Sequence, residues 1–369
     1  MATDPLRTRL CEEYGCEVPI VSFGHTRDVA AAVTNAGGIG VLGGGGGPDE
    51  LRANIKWIRE RVGDKPFGID LLLPASFVEG NKEDLESQIP QGHRDFLAKL
   101  KTDNDIPDAK EDDDTLRFRR GGDLMGNARQ ALDVLIEEAV PIFASGLGSP
   151  AFVMDQLHAV GTKVWSLVGL PRQAQRLVDA DIDLIIAQGT DSGGHSGQIG
   201  TFSLVPQVVD VAKQKDIPVL AAGGVGSGRH LAASIMLGAA GVWSGTQWLA
   251  TNENELDMYL KQKIVDAKVE DAVHSRGMSG KPIRQLTSKY SEAWKQEGAP
   301  ETLPMPLQGM LVGEFLQSIR SWHIDDWMTT PAGQVVGMID QIKPSRQIVF
   351  DMVEEARDMF DSVHEPVSV

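Results

Sequence analysis

Asp183-Leu184-Ile185-Ile186-Ala187-Gln188-Gly189-Thr190-Asp191-Ser192-Gly193-Gly194-His195-Ser196-Gly197 is an apolar run that breaks into a glycine-rich loop. The run is short and β-branched, which predicts a buried strand. Four glycines between 189 and 197 let the backbone take positive φ values and approach another group closely. The loop carries one imidazole, His195, the side chain whose ordinary pKa lies nearest neutrality and which suits proton abstraction. A buried strand feeding such a loop is how an active site is laid out on a β/α scaffold.

The same grammar repeats on both sides of this stretch. Before it, strand signals fall at Pro19–Phe23, Ile39–Leu42, Phe67–Leu73, Pro141–Gly146 and Lys163–Val168. After it they fall at Pro218–Ala222 and Gly241–Thr246. Between them lie helix signals at Arg27–Asn35, Pro48–Arg61, Ala128–Ala139, Pro150–Val160, Pro171–Asp179, Phe202–Lys215 and Arg229–Leu237. Eight strands alternating with seven helices predict an α/β chain with a (β/α)8 barrel; an open doubly wound sheet would normally have fewer strands. In a barrel the chemistry sits at the C-terminal ends of the strands, where the glycine clusters of this sequence fall.

The regular spacing breaks twice. Residues 75–123 form a charged insert after the third strand, long enough to be a lid or partly disordered. From residue 253 onward only helix signals recur: Asn254–Val273, Ser288–Gln296, Leu307–Ile319, Gly333–Ile342 and Ser345–Phe360. We therefore read 15–252 as the barrel and 253–369 as a helical cap or extension at its mouth, with no strand expected after 250.

Hydrophobic residues make up 41% and charged residues 24% of the chain, as in a soluble globular protein. The net charge of −17 argues against a nucleic-acid partner, which needs a basic face. Two cysteines, Cys11 and Cys16, are too few for a disulfide framework or structural zinc, and no metal site is expected. Met1–Arg9 has no apolar core of a signal peptide, and no run approaches the roughly 18 apolar residues of a membrane span. A cytoplasmic location is the expectation. An apolar face on the tail could pair with a second copy as a homodimer; packing against the barrel would explain the same residues.

A second constellation follows the last two strands: Ala222-Gly223-Gly224-Val225-Gly226-Ser227-Gly228 and Ser244-Gly245-Thr246. Barrels commonly hold a phosphate there, on glycine N–H groups and the dipole of the next helix. Ser244 and Thr246 add hydroxyls. The stretch is no dinucleotide fingerprint, because Gly-x-Gly-x-x-Gly would need glycine at Arg229. A phosphate site beside a histidine loop suggests a phosphorylated cofactor, most simply FMN.

These residues resemble the nitronate monooxygenase family, formerly 2-nitropropane dioxygenases, and its sister group, the FMN-dependent enoyl-ACP reductases. The resemblance rests on Ala31-Ala32-Val33-Thr34-Asn35-Ala36-Gly37-Gly38-Ile39-Gly40, on the loop through Gly194-His195-Ser196-Gly197, on Ala221-Ala222-Gly223-Gly224-Val225, and on Gly245-Thr246-Gln247-Trp248-Leu249-Ala250-Thr251. It implies a TIM barrel with FMN at the mouth, a small-molecule substrate and O2. It implies Gln188 and Gly189 beside the flavin, with Gly194 in the same loop. Gly223, Gly224, Gly226, Ser244, Gly245 and Thr246 would take the phosphate end. His195 would be the base removing the proton next to a nitro group. Lys163 is a further candidate near the flavin ring.

The chain departs from the family at the reactive face. Ser22-Phe23-Gly24-His25-Thr26 replaces the usual Pro-Met-Gly stretch, so Ser22 and Gly24 would line the flavin and His25 would face substrate. Asp70 stands where Asn is usual, Asp191 where Glu and Ser192 where Ala are common. A carboxylate at 70 would repel an anionic flavin unless protonated or paired. Two other functions fit the same residues: an NAD(P)H-dependent reductase of quinones or enoyl thioesters, and a flavin-free barrel binding a phosphorylated ligand.

Overall fold

The computed structural model describes residues 4–73, 82–110 and 124–364. Eight parallel strands close into a barrel: β1 (Ile20–Gly24), β2 (Ile39–Gly43), β3 (Phe67–Leu72), β4 (Ile142–Gly146), β5 (Lys163–Val168), β6 (Leu184–Gln188), β8 (Val219–Ala222) and β9 (Gly241–Ser244). β9 pairs back onto β1, with Val21 opposite Trp243. β7 is a two-residue strand, Gly194–His195, inside the loop after β6.

Alternation along each strand sorts the side chains. Val21, Val41, Ile142, Ala144, Trp165, Leu184, Ile186, Leu220 and Trp243 share one buried cluster inside the barrel. Ile69, Phe143, Val164, Ile185, Ala187 and Val242 pack outward against the helices. The N-terminal helix α1 (Arg9–Tyr14) stops the bottom of the barrel, where Leu10, Cys11 and Cys16 join the inner cluster and Tyr14 meets Trp165 edge-on at 5.0 Å. Both cysteines are free thiols. No helix among the described residues is long and apolar enough to cross a membrane.

The tail departs from expectation. It contains two strands, β10 (Ala272–Ser275) and β11 (Ile283–Leu286), which with β7 form an antiparallel sheet in the order β10-β11-β7. The helix expected over Asn254–Val273 is only α11 (Met258–Asp266), and Gly333–Ile342 shrinks to a 3-10 turn at Gln334–Met338. The last helix, α14 (Ser345–His364), follows the tail in sequence but packs on α10 (Gly228–Met236) and α2 (Arg27–Asn35). Its Ile348, Val349, Met352 and Ala356 lie in the same core as the barrel helices. It thus occupies the helix position that follows β9.

The described part of the charged insert carries α4 (Lys82–Ser87) and α5 (Gln91–Asp103). Its Leu85, Leu97 and Leu100 join Tyr290, Leu311 and Phe315 of the tail in a second hydrophobic core, against α13 (Leu307–Ser321). Insert and tail are therefore one packed unit.

Candidate active site

The loops after β6 and β8 are laced together. Gly189 N donates to Ala222 O at 2.9 Å, and Thr201 Oγ1 donates to Gly223 O at 2.9 Å. Asp191 accepts from Thr201 N at 2.7 Å, at the first turn of α9 (Thr201–Ala212). Gly223 and Gly224 hold φ of +95° and +71°, the left-handed region that favours glycine.

Inside this framework β7 pairs with the tail: His195 lies opposite Ile283 and Gly194 opposite Arg284. His195 Nδ1 stands 3.1 Å from Pro282 O. A carbonyl only accepts, so Nδ1 carries the hydrogen, and in the neutral ring Nε2 holds the lone pair. Next to it Arg284 is 8% exposed. Its Nε donates to Thr190 O at 3.1 Å and its Nη1 to Ala272 O at 2.7 Å. Burial draws this guanidinium below its ordinary range, and the charge of Asp191 acts in the opposite sense.

The phosphate-type cradle differs from expectation in one respect. The N-terminal N–H groups of α10, at Gly228 and Arg229, donate to the carboxylate of Glu355 on α14, the first at 2.7 Å. The dipole at this helix end is therefore already matched by a side chain. Ser244 Oγ faces away from the barrel interior and accepts from Trp248 Nε1 at 3.0 Å. Thr246 Oγ1 accepts from Gly333 N at 2.8 Å. What remains at the mouth is the backbone of Gly223, Gly224 and Gly245 and the hydroxyl hydrogen of Thr246, with Gly226 against Val335 and Gln247. Among the described residues, Ser192 Oγ and Gln247 Oε1 are buried here without hydrogen-bond partners. Unmet polar atoms beside positive-φ glycines fit a polar ligand that supplies the missing bonds. Beyond Gly224 a cleft of about 610 Å³ opens between Asp191 and His230 on the barrel and Lys268, Val269 and Gln334 on the tail.

The floor of the mouth is aromatic. Phe23 stacks on Trp243 at 5.6 Å and meets His25 edge-on at 5.4 Å. His25 lies over Gly43, where a Cβ would come within 2.5 Å of its Nδ1. Gly43 is the strand neighbour of Asp70, whose other neighbour is Ala144. Burial alone pushes the Asp70 carboxyl up to about 7. Gln188, half-buried, pairs with Ala222 across β6 and β8, and Gly24 ends β1 with open space where a side chain would project. Ser22 is buried between inward-facing Val21 and Phe23, so its side chain points away from the mouth.

Lys163 is not part of this group. It opens β5 and pairs at 2.9 Å with Asp183, which precedes β6, so it lies at the opposite end of the barrel. The residues that sequence reasoning missed are Pro282, Arg284, Gly333 and Gln334. The last docks by donating Gln334 N to Asp191 O at 2.9 Å. A Cβ on Gly193 would come within 2.8 Å of the Ala332 carbonyl carbon. The one sequence signal was Ala332-Gly333, a small pair of the kind that lets two backbones touch.

A closed parallel barrel with a histidine loop and a glycine cradle at the C-terminal ends of its strands defines a barrel enzyme. The nitronate monooxygenase family model matches residues 13–355, and the chain belongs to that family of oxidoreductases. A Mycobacterium tuberculosis chain that bears a provisional monooxygenase name, Rv1533, is 39% identical, covering 96% of this chain and 97% of its own length. FabK from Thermotoga maritima superposes with a TM-score of 0.74 at 31% identity, over 97% of this chain and 98% of the other. A nitroalkane oxidase from Streptomyces ansochromogenes gives 0.78 at 26% identity, over 94% and 98%.

Proposed function

We propose that this chain is an FMN-dependent nitronate monooxygenase that oxidises alkyl nitronates and nitroalkanes with O2 to a carbonyl compound and nitrite. The observation that carries the reading is His195, held at the mouth with Nδ1 donating to Pro282 O and Nε2 as the basic nitrogen. Gly223, Gly224, Gly245 and Thr246 would hold the phosphate end of the cofactor, Gln188 and Asp70 would meet its ring system, and Gly24 would leave room beside it. When bound, the flavin supplies the electron-accepting chemistry.

The chain's own residues do the rest. Nε2 of His195 takes the proton from the carbon bearing the nitro group, which leaves the nitronate and an imidazolium whose Nδ1 stays bonded to Pro282 O. Preformed nitronates bypass that step. The apolar floor of Phe23 and Trp243 would lie beneath the reacting carbon. An absorption spectrum of the purified protein tests the reading, followed by separate aerobic addition of propyl-1-nitronate and of NADH. A flavin band with nitrite release and no bleaching by NADH is expected. Fast bleaching by NADH without nitrite would instead favour an NAD(P)H-dependent reductase, a reading that draws support from the likeness to FabK. His195→Asn should retain the flavin band and lose roughly 10²–10⁴-fold in rate on neutral nitroalkanes, with nitronates largely spared. An equal rate on the neutral substrate would remove His195 from the role.

A further inference from the structure

A loop with four glycines between residues 189 and 197 has many conformations open to it; its first half is anchored through Gly189, Thr190 and Asp191, while its strand pairing with β11 is confined to Gly194 and His195. A two-residue strand is marginal on its own. Something else must keep His195 in register with Ile283, because that register is what brings Pro282 O to Nδ1. Arg284 spans the sheet from front to back. Nε reaches Thr190 O at the root of the histidine loop, and Nη1 reaches Ala272 O on β10 behind it. Among the described residues no carboxylate lies within ion-pair distance of its guanidinium. A buried cation whose hydrogen bonds go to two main-chain carbonyls, with the charge of Asp191 acting on it but no ion pair formed among the described residues, is expensive, which points to a geometric role rather than to net stability. Lysine could not do the same work, since an ammonium on a flexible stem lacks the fixed fork that reaches both carbonyls at once.

We propose that Arg284 is a positioning residue for His195: its fork between Thr190 O and Ala272 O fixes the β7–β11 register and thereby the ring's Nδ1–H tautomer. The inference rests on His195 acting as the base, and the tail strand is then a working part of the site.

The test replaces Arg284 by Met, Gln and Lys in the full-length protein and reads two signals. The first is the ring ¹⁵N spectrum of His195 in the resting protein, assigned by its loss in His195→Asn. Wild type should show a protonated Nδ1 and a lone-pair Nε2. Arg284→Met should average the two. The second signal is turnover of a nitroalkane against its nitronate. A misplaced base should cost roughly 10–100-fold on the nitroalkane and less than about 3-fold on the nitronate, which needs no proton removed. Arg284→Lys should recover part of the loss. An unchanged Nδ1–H signal in Arg284→Met, or equal losses on both substrates, overturns the proposal. If Met does not fold, Gln and Lys are read in the same way, and failure of all three to fold also overturns it. If His195→Asn keeps its nitroalkane activity, the base reading falls, while the ring spectrum still reports whether Arg284 sets the tautomer.

Discussion

At the N-terminal end of the barrel three donors converge on Asp183: Lys163 at 2.9 Å, His158 at 2.7 Å and the Val164 amide at 2.8 Å. Above that carboxylate Trp165, Tyr14 and Leu10 fill the interior. At the C-terminal end of the same strands, Gly223 and Gly224 hold left-handed conformations and, among the described residues, Ser192 and Gln247 keep buried polar atoms without partners and the Asp70 carboxyl is shifted by burial with no cation acting on it. Apart from Trp165 Nε1, the first end pairs its polar groups and fills its space; the other leaves glycines and polar atoms open. The contrast separates residues that hold the fold from residues that, under the proposed function, would meet a ligand, and each can be challenged by mutation.

The largest effect is expected at the filled end. Trp165→Ala should cost about 3–5 kcal/mol of unfolding free energy by denaturant titration, with the flavin band retained in whatever protein folds. A loss below about 1 kcal/mol would mean that the bottom is not what holds the barrel. At the open end, Asp70 should work against stability. Its folded-state pKa is raised, so the native state keeps its proton while the unfolded carboxyl has lost it. Stability should therefore fall as pH rises from the ordinary carboxylate range to about 7 and level off above it. Asp70→Asn should remove that slope, a gain above pH 7 of up to roughly 4 kcal/mol; parallel stability curves would refute it.

Asp183 has the opposite sign. Burial raises its pKa, but the hydrogen bonds from Val164, Lys163 and His158 outweigh burial and leave it lowered. Its contribution is full above the ordinary carboxylate range and is lost as pH falls through the folded value. Asp183→Asn should cost about 1–2 kcal/mol at neutral pH, and the gap to wild type should close on acidification. The smallest effect belongs to Lys163→Met. Its side chain is 54% exposed, so loss of the pair should change stability by less than about 0.5 kcal/mol. Flavin content should not change, and a loss of flavin would return Lys163 to the mouth.

Much of the barrel was legible because each strand is a compact apolar run stopped by glycine, and each intervening helix carries its own apolar periodicity. The same logic placed His195 and the glycines of the cradle at the mouth. It also contained the correction to Lys163: this residue opens its strand, and chemistry sits where strands end. The tail strands were illegible for a physical reason. In β11 all four residues are buried, so Arg284 and Gln285 interrupt the apolar signal without marking a solvent face. The partners of Ile283 and Arg284 on the barrel side, His195 and Gly194, are far away in sequence, a distance over which no local pattern speaks. Glu355 on α14 was hidden in the same way, since a carboxylate on a late helix gives no sign of the helix end it meets.

The late position of α14 also bears on how the molecule is made. β9 leaves the ribosome well before the helix that follows it in space, because residues 245–344 are synthesised in between. At about 5–20 residues per second this interval lasts on the order of 5–20 s. During it, the flank between α2 and α10 stays uncovered, and the N-terminus of α10 lacks Glu355. A nascent barrel in this state exposes apolar surface that a chaperone, rather than the chain itself, would have to shield.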